Sequence, residues 1–294
     1  MPATAYVNGR YLPLAHAGLP VEDRGTQFAD AVYEVVAMFA GRPLDWAAHR
    51  WRLRRGLAAL FIEGAPSDAA LDAIAQTLWR RSHLADGLLY IQVSRGTARR
   101  DHGFPAGVRP NLVMTARPFD FRQRLAQQQE GVAVVALPDQ RWKRCDLKTT
   151  GLLGAVLGKA EARRLGAFEA MFHLEDGTVT EGASTNLWMV ASSGTLVTHP
   201  LSARILPGIM RETAMRLARA AGMAVAERPF TLDEARTAPE LFLTSTTGPL
   251  LPITRLDGAP VGTGTAHAGR PGPVATRLAT LLWSEIARQT GWRP

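Results

Sequence analysis

Three tight-turn dipeptides constrain this chain most: Asn8-Gly9, Asp176-Gly177 and Ser193-Gly194 each separate short runs rich in β-branched and aromatic residues. Asn8 and Gly9 supply the positive φ angles of a two-residue hairpin turn, so TAYV and RYLPL pair as neighbouring strands. FEAMFHLE, TVTEG, TNLWMV and TLVTHP read as further short strands with turns between them. A second hairpin joins VYEVVAMF to PLDW through residues 40–42, and LLYIQVSR, NLVMTARPF, VAVVALP and ELFLTST complete the strand set. Helices are expected at 49–60, at 68–82 with Ser67 as N-cap, at 152–165, at 210–221 and, after a Gly/Pro-rich loop at 262–273, at the end of the chain. Sheet and helix in both halves imply a two-domain α/β or α+β protein. The expected division is a smaller N-terminal α/β domain at 1–120, a polar, glutamine-rich linker at 121–130 and a larger C-terminal domain at 131–294.

The chain has 294 residues, 46% of them apolar, enough for one large core or two smaller ones. No apolar run reaches the roughly 20 residues that span a bilayer, and MPATAYVNGR lacks the basic and apolar parts of a signal peptide, so a soluble, cytoplasmic protein is expected. A single cysteine, Cys145, rules out an internal disulfide and argues against a cysteine-based metal site; no metal is expected. The net charge of +8 could attract nucleic acid. However, the basic residues fall in short groups, such as Arg80 with Arg81 and Arg99 with Arg100, without aromatic interleaving or a binding module. Of 34 basic residues only Lys143, Lys148 and Lys159 are lysine, so lysine chemistry has three candidates.

Lys148, in RCDLKTTGLLG, follows a β-type segment and precedes a helix, which would hold its amine on a rigid edge. A buried amine there has a lowered pKa and can act as nucleophile and proton carrier, the two properties of a Schiff-base lysine; a helix-flanking lysine in water is the plainer alternative. Glu181, in TVTEGASTN, could cap a turn or could keep a pyridine nitrogen protonated so that the ring accepts electrons. Arg52 in HRWRL, the helix start at Gly208, Ile209 and Met210, and Thr246 with Thr247 in LTSTTG are groups that can hold a phosphate. Tyr33, Arg100 and His102 can together bind a carboxylate, the arginine through a forked pair of hydrogen bonds. Each also has an ordinary structural reading as core, helix start or solvated loop.

Taken in order, EDRGTQFADAVYEVV, HRWRL, RGTARRDHGFP, RWKRCDLKTTGLLGAVLGKAEA, TVTEGASTN, ILPGIMR and LFLTSTTG resemble the class IV aminotransferases, the fold-type IV pyridoxal-phosphate enzymes. The resemblance spans nearly the whole chain and implies a C-terminal domain that is mixed and β-barrel-like. It further implies that Lys148 binds pyridoxal 5′-phosphate and moves the proton, and that Glu181 pairs with the pyridine nitrogen. Arg52, the backbone of Ile209 and Met210, and Thr246 with Thr247 would hold the cofactor phosphate. Tyr33, Arg100 and His102 resemble the carboxylate trap of the members that act on D-amino acids, in which the arginine and histidine reach in from a partner subunit; the implication is a homodimer. Transamination between a D-amino acid such as D-alanine or D-glutamate and a 2-oxo acid such as pyruvate or 2-oxoglutarate is therefore expected. Branched-chain L-amino acid transfer and aminodeoxychorismate lysis are the alternatives on the same fold. Two positions depart from the family pattern: Met210 where a threonine is usual, and Ala183 where a serine is common.

Overall fold

The computed structural model describes residues 3–293, which fall into two compact units. The first contains residues up to Asp120 together with Leu147–Gly151 and Gln289–Trp292; the second contains Phe121–Asp146 and Leu152–Arg288.

The first unit is built on a six-stranded, wholly antiparallel sheet in the order Arg10–Pro13, Thr4–Val7, Asn111–Pro118, Gly87–Ser94, Ala31–Phe39, Arg42–Pro43. The Asn8-Gly9 turn opens it with φ angles of 44° and 92°. Helices Trp46–Ala59 and Asp68–Ser82 pack on this sheet through Leu53, Leu57, Leu71, Leu78 and Trp79, which meet Val32, Val36, Leu89 and Ile91 in one core. Ser67 caps the second helix by accepting a hydrogen bond from the Ala70 amide at 3.2 Å. PLDW is shorter as a strand than its sequence suggests: only Arg42–Pro43 pairs, and Trp46 already begins the helix. A Pro at the strand's end supplies no amide to extend the ladder. The C-terminal tail joins the same unit, where Trp292 packs edge-on against Phe39 at 5.3 Å and donates to Asp86 at 2.9 Å.

The second unit carries a nine-stranded mixed sheet. Its order is Val225–Glu227, Leu196–Thr198, Asn186–Val190, Glu240–Ser245, Gly248–Leu256, Val132–Pro138, Glu169–His173, Val179–Gly182, with Ala259–Pro260 on Gly248–Leu256. Strands Val179–Gly182 and Asn186–Val190 lie five places apart in this order, yet only three residues link them. Five strand spacings in a flat sheet cover about 24 Å, whereas four extended residues reach only about 14 Å. The sheet must therefore curl into a partial barrel. Its interior is filled by Val134, Met171, Leu187, Leu243, Leu251 and Ile253.

Residues 121–130, expected as a linker, form an α-helix, Phe121–Glu130, with Phe121 buried. Glutamine, arginine, leucine and alanine are good helix formers, so a polar run of them lacks an apolar stripe without lacking helix propensity. Gln128 of this helix accepts a hydrogen bond from Trp283 at 2.6 Å.

Candidate active site

In the first unit, residues 147–151 lie against the strand Ala31–Phe39. The Tyr33 amide donates to the Lys148 carbonyl at 2.9 Å, the Thr150 amide to Ala31 at 3.2 Å, and Val32 bridges Thr149. This pins the Lys148 backbone and leaves its half-buried side chain directed at one neighbour. Nζ donates to the Tyr33 hydroxyl at 3.3 Å and sits 4.3 Å from the ring centroid. Lys148 is thus an anchored amine with a hydroxyl partner and, among the described residues, no carboxylate in hydrogen-bond reach, unlike a lysine that merely flanks a helix in water. Tyr33 in turn stacks on Tyr90 at 5.6 Å. Burial, and then Tyr33 itself, push the Tyr90 phenol up to about 12, so it stays protonated.

Arg52 is no surface arginine. It is buried and grips Glu34 with two nitrogens, Nε to Oε1 at 2.7 Å and Nη2 to Oε2 at 2.8 Å, while His49 Nδ1 meets the same carboxylate at 2.7 Å. Burial alone would raise Glu34; the Arg52 charge and the hydrogen bonds outweigh it and hold the carboxyl down at about 2. Burial drives His49 the other way, toward the neutral imidazole.

Arg100 and His102 stand exposed on the loop after strand Gly87–Ser94. They share an aromatic support, Phe28, with the Arg100 guanidinium 4.7 Å and the His102 ring 5.4 Å from its centroid. Buried Arg24 fastens the loop by donating to the Asp101 carbonyl at 2.6 Å, and Arg24 and Arg95 converge on Asp30 at 2.8 Å and 2.7 Å. Within one chain neither Arg100 nor His102 hydrogen-bonds to or stacks on Tyr33, whose side-chain partners among the described residues are Lys148 and Tyr90.

In the second unit, Glu181 lies on strand Val179–Gly182 and accepts three hydrogen bonds. Its Oε1 accepts from Arg141 Nη1 at 2.5 Å; its Oε2 accepts from Asn186 Nδ2 and from the Leu206 amide, each at 3.0 Å. Burial dominates and raises its pKa to about 7 even against the Arg141 charge. Arg141 is committed elsewhere: Asp139 takes its Nε at 2.9 Å and Nη2 at 2.8 Å, and Thr180 donates to Asp139 at 2.8 Å. Arg141, Asp139 and Asn186 were hidden in the sequence. Arg141 falls in the basic group Arg141, Lys143 and Arg144, and only the two-residue spacing from Asp139 points to a forked pair.

The helix Ile209–Ala220 begins at Gly208, which provides no side chain to cap it. A Cβ on Gly208 would meet Asn186 Oδ1 at 1.9 Å, so only glycine fits there; the first-turn amides are the donors a helix start leaves without intrahelical partners. Ile209 and Met210 both bury their side chains, leaving only backbone N–H groups as donors. Thr246 is half-buried in the turn between Glu240–Ser245 and Gly248–Leu256, and its hydroxyl has no hydrogen bond within the described residues. Thr247 differs: its hydroxyl lies 3.4 Å from that of Ser245, and it lines a separate cavity with Arg124, Lys159 and Arg163. Ala183 is partly buried among Ala162, Ala170 and Phe172, an apolar patch with no use for a hydroxyl. Among the described residues no group of His, Cys, Asp and Glu is placed to hold a metal ion, and no helix is long and apolar enough to cross a membrane.

An anchored amine in one unit, and a buried acid in the other, are carried on an antiparallel sheet and a curled mixed sheet. The sequence matches the amino-transferase class IV family over residues 31–256, and the chain belongs to that family. It is similar to D-alanine aminotransferases: 37% identical to that of Bacillus licheniformis over 96% of this chain and 97% of the relative, and 35% identical to that of Listeria innocua over 97% and 96%. Among solved structures it resembles the Escherichia coli branched-chain amino acid aminotransferase, with TM-score 0.88, 23% identity and coverage of 100% of this chain and 97% of that one. A T.th. branched-chain amino acid aminotransferase, solved with pyridoxamine 5′-phosphate, also has TM-score 0.88 at 23% identity, covering 100% and 96%. At that identity the likeness establishes the fold, a two-domain α/β architecture.

Proposed function

We propose that this chain transfers the amino group of a D-amino acid, D-alanine or D-glutamate in type, to a 2-oxo acid, with pyridoxal 5′-phosphate as cofactor. The observation that carries it is the Lys148 amine, anchored by its backbone and held 3.3 Å from the Tyr33 hydroxyl. Identity of 32–37% with D-alanine aminotransferases along nearly the whole chain supports the substrate class.

The residues present fit the cofactor. When bound, pyridoxal 5′-phosphate supplies an aldehyde carbon for the amine and a ring that accepts electrons from the bond broken at the substrate α-carbon. Lys148 Nζ would be the group that holds the cofactor aldehyde carbon and, as a free amine, would carry the proton between the substrate α-carbon and the cofactor, in one direction for the donor and in the reverse for the acceptor. Tyr33 orients that amine. Glu181, held near neutrality by burial, pairs with the ring nitrogen and restores its own full charge in doing so. The first-turn amides at Ile209 and Met210, the Thr246 hydroxyl and Arg52 would take the phosphate. Thr247, seated on the other cavity, contributes through the turn it shares with Thr246.

The same reading makes the protein a cytoplasmic homodimer. Its support is the exposed apolar run Leu152, Leu153, Val156 and Leu157, 40–70% accessible at the start of helix Leu153–Arg164, a face suited to a second copy. The partner subunit's Arg100 and His102 would then bind the substrate carboxylate opposite Tyr33. The cofactor-loaded protein should lose its visible absorbance with D-alanine and keep it with L-leucine, and Arg100→Ala should weaken D-alanine turnover at least about tenfold. Equal bleaching by L-leucine, or full D-alanine activity in Arg100→Ala, would sink the reading.

A further inference from the structure

The second unit contains a cavity of about 360 Å³ that the transamination reading does not use. Three cations converge on it: Arg124, Lys159 and Arg163. Phe168 gathers two of them, with Lys159 Nζ 4.4 Å and the Arg124 guanidinium 5.5 Å from its ring centroid. Glu169, the acid that meets Lys159 at 3.3 Å, is fully buried and is already committed as well to Ser184 at 2.8 Å and to the Ala170 amide at 3.0 Å. Arg124 also donates through Nη1 to Gln127, and Lys159 to the Phe168 carbonyl. The Arg163 side chain makes no hydrogen bond or ion pair among the described residues, whereas that of its neighbour Arg164 pairs with Glu161 at 2.7 Å and 2.8 Å. Beyond burial, which lowers the Lys159 pKa most, and Glu169, which raises it, Arg163 and Arg124 both push it down, as expected of like charges sharing one space.

The remaining lining is polar. Ser184, Ser245 and Thr247 offer hydroxyls, and Thr185, 8% exposed, keeps a buried Oγ1 with no hydrogen-bond partner. A confined space with three converging cations and several hydroxyl donors is complementary to a small, doubly charged oxyanion. We propose that this cavity is a binding site for a phosphate-class anion, inorganic phosphate or a small phosphomonoester, which shares with the groups assigned to the cofactor only Thr247. It is lined by none of Lys148, Glu181, Ile209, Met210 and Thr246. Ser245 and Thr247 flank Thr246, so an anion here presses on the turn assigned to the cofactor phosphate.

The test uses the cofactor-loaded enzyme, in which the cofactor's own phosphate cradle is filled. Inorganic phosphate and glycerol 3-phosphate are titrated by calorimetry against wild type, Arg163→Glu and Arg10→Glu. Arg163 and Arg10 are both exposed, so neither change threatens the fold, and Arg10 lies on a strand of the first unit. Saturable binding of about one anion per chain is expected, weakened on the order of tenfold or more in Arg163→Glu and unchanged in Arg10→Glu. Tighter binding of glycerol 3-phosphate identifies the ligand as a phosphomonoester, and equal binding as phosphate itself. The proposal fails if the loaded enzyme binds neither anion, if Arg163→Glu binds like wild type, or if Arg10→Glu weakens binding equally. None of these outcomes depends on which amino acid the enzyme accepts.

Discussion

Two buried glutamates, Glu34 and Glu181, each meet an arginine and end on opposite sides of their ordinary pKa of 4.5. Glu34 is held at about 2, and Glu181 is raised to about 7. Burial raises both; the difference is in the arginine. Arg52 gives Glu34 two nitrogens, and His49 adds a third hydrogen bond. Arg141 gives Glu181 one nitrogen and spends the other two on Asp139, whose negative charge also works against ionising Glu181. A forked pair makes an anchor. An arginine divided between two acids leaves one whose charge state a ligand can set, which is what a group facing a cationic ring nitrogen requires.

Breaking the anchor should have the largest effect. Glu34→Gln leaves the buried Arg52 charge without its carboxylate, and removing one partner of a buried pair costs about 3–5 kcal/mol. Thermal denaturation should show Tm falling by more than about ten degrees, with activity lost alongside the fold. Glu181→Gln should do the reverse. The amide keeps an acceptor for Asn186 or Leu206, so Tm should change by only a few degrees, while kcat falls on the order of a hundredfold because the ring nitrogen loses its anionic partner. If Glu34→Gln leaves Tm unmoved, or Glu181→Gln leaves kcat unmoved, the distinction between anchor and reactive acid collapses.

The two acids also separate in pH. Glu34 is depressed in the folded state, so its contribution is present above pH 4.5 and is lost as pH falls toward 2. Glu181 is raised, so its contribution is present below pH 4.5 and is lost as pH rises from 4.5 to about 7. That second loss amounts to about 3 kcal/mol at most in the cofactor-free protein. Denaturant midpoints measured between the two ends of that window should decline in wild type and stay flatter in Glu181→Gln. Adding cofactor should remove much of the decline, because a cationic ring nitrogen favours the ionised carboxylate.

The sequence made local devices legible and concealed long-range ones. Asn8-Gly9 and Ser67 declare a turn and a cap through their own backbone preferences, and the structure has both where expected. Lys148 was legible as a chemical group through its motif, but not as a member of the N-terminal unit, since that depends on residues 147–151 pairing with a strand more than a hundred positions earlier. The helix Phe121–Glu130 escaped because its polar residues carry propensity without periodicity. Arg141 escaped for a related reason. In a run of cations, nothing local separates the arginine that is buried by Asp139 and Glu181 from exposed Arg144, which pairs with Asp146.

The smallest effect is also the sharpest test of how Arg141 is divided. Asp139→Asn removes a negative charge near Glu181 and releases the Arg141 charge from its forked partner, while Thr180 and the new amide preserve most of the hydrogen bonds. Both changes favour ionised Glu181, so its pKa should fall from about 7 toward 4.5, by about one unit. The pH window over which the cofactor-free protein loses stability should narrow accordingly, by about 1.4 kcal/mol at neutral pH. The opposite shift would mean that Asp139 matters chiefly by aiming Arg141 at Glu181, because a released Arg141 that swings away leaves the acid more isolated. Titrating Glu181 by carboxylate infrared absorbance in wild type and Asp139→Asn separates these two roles, since the direction of the shift differs between them.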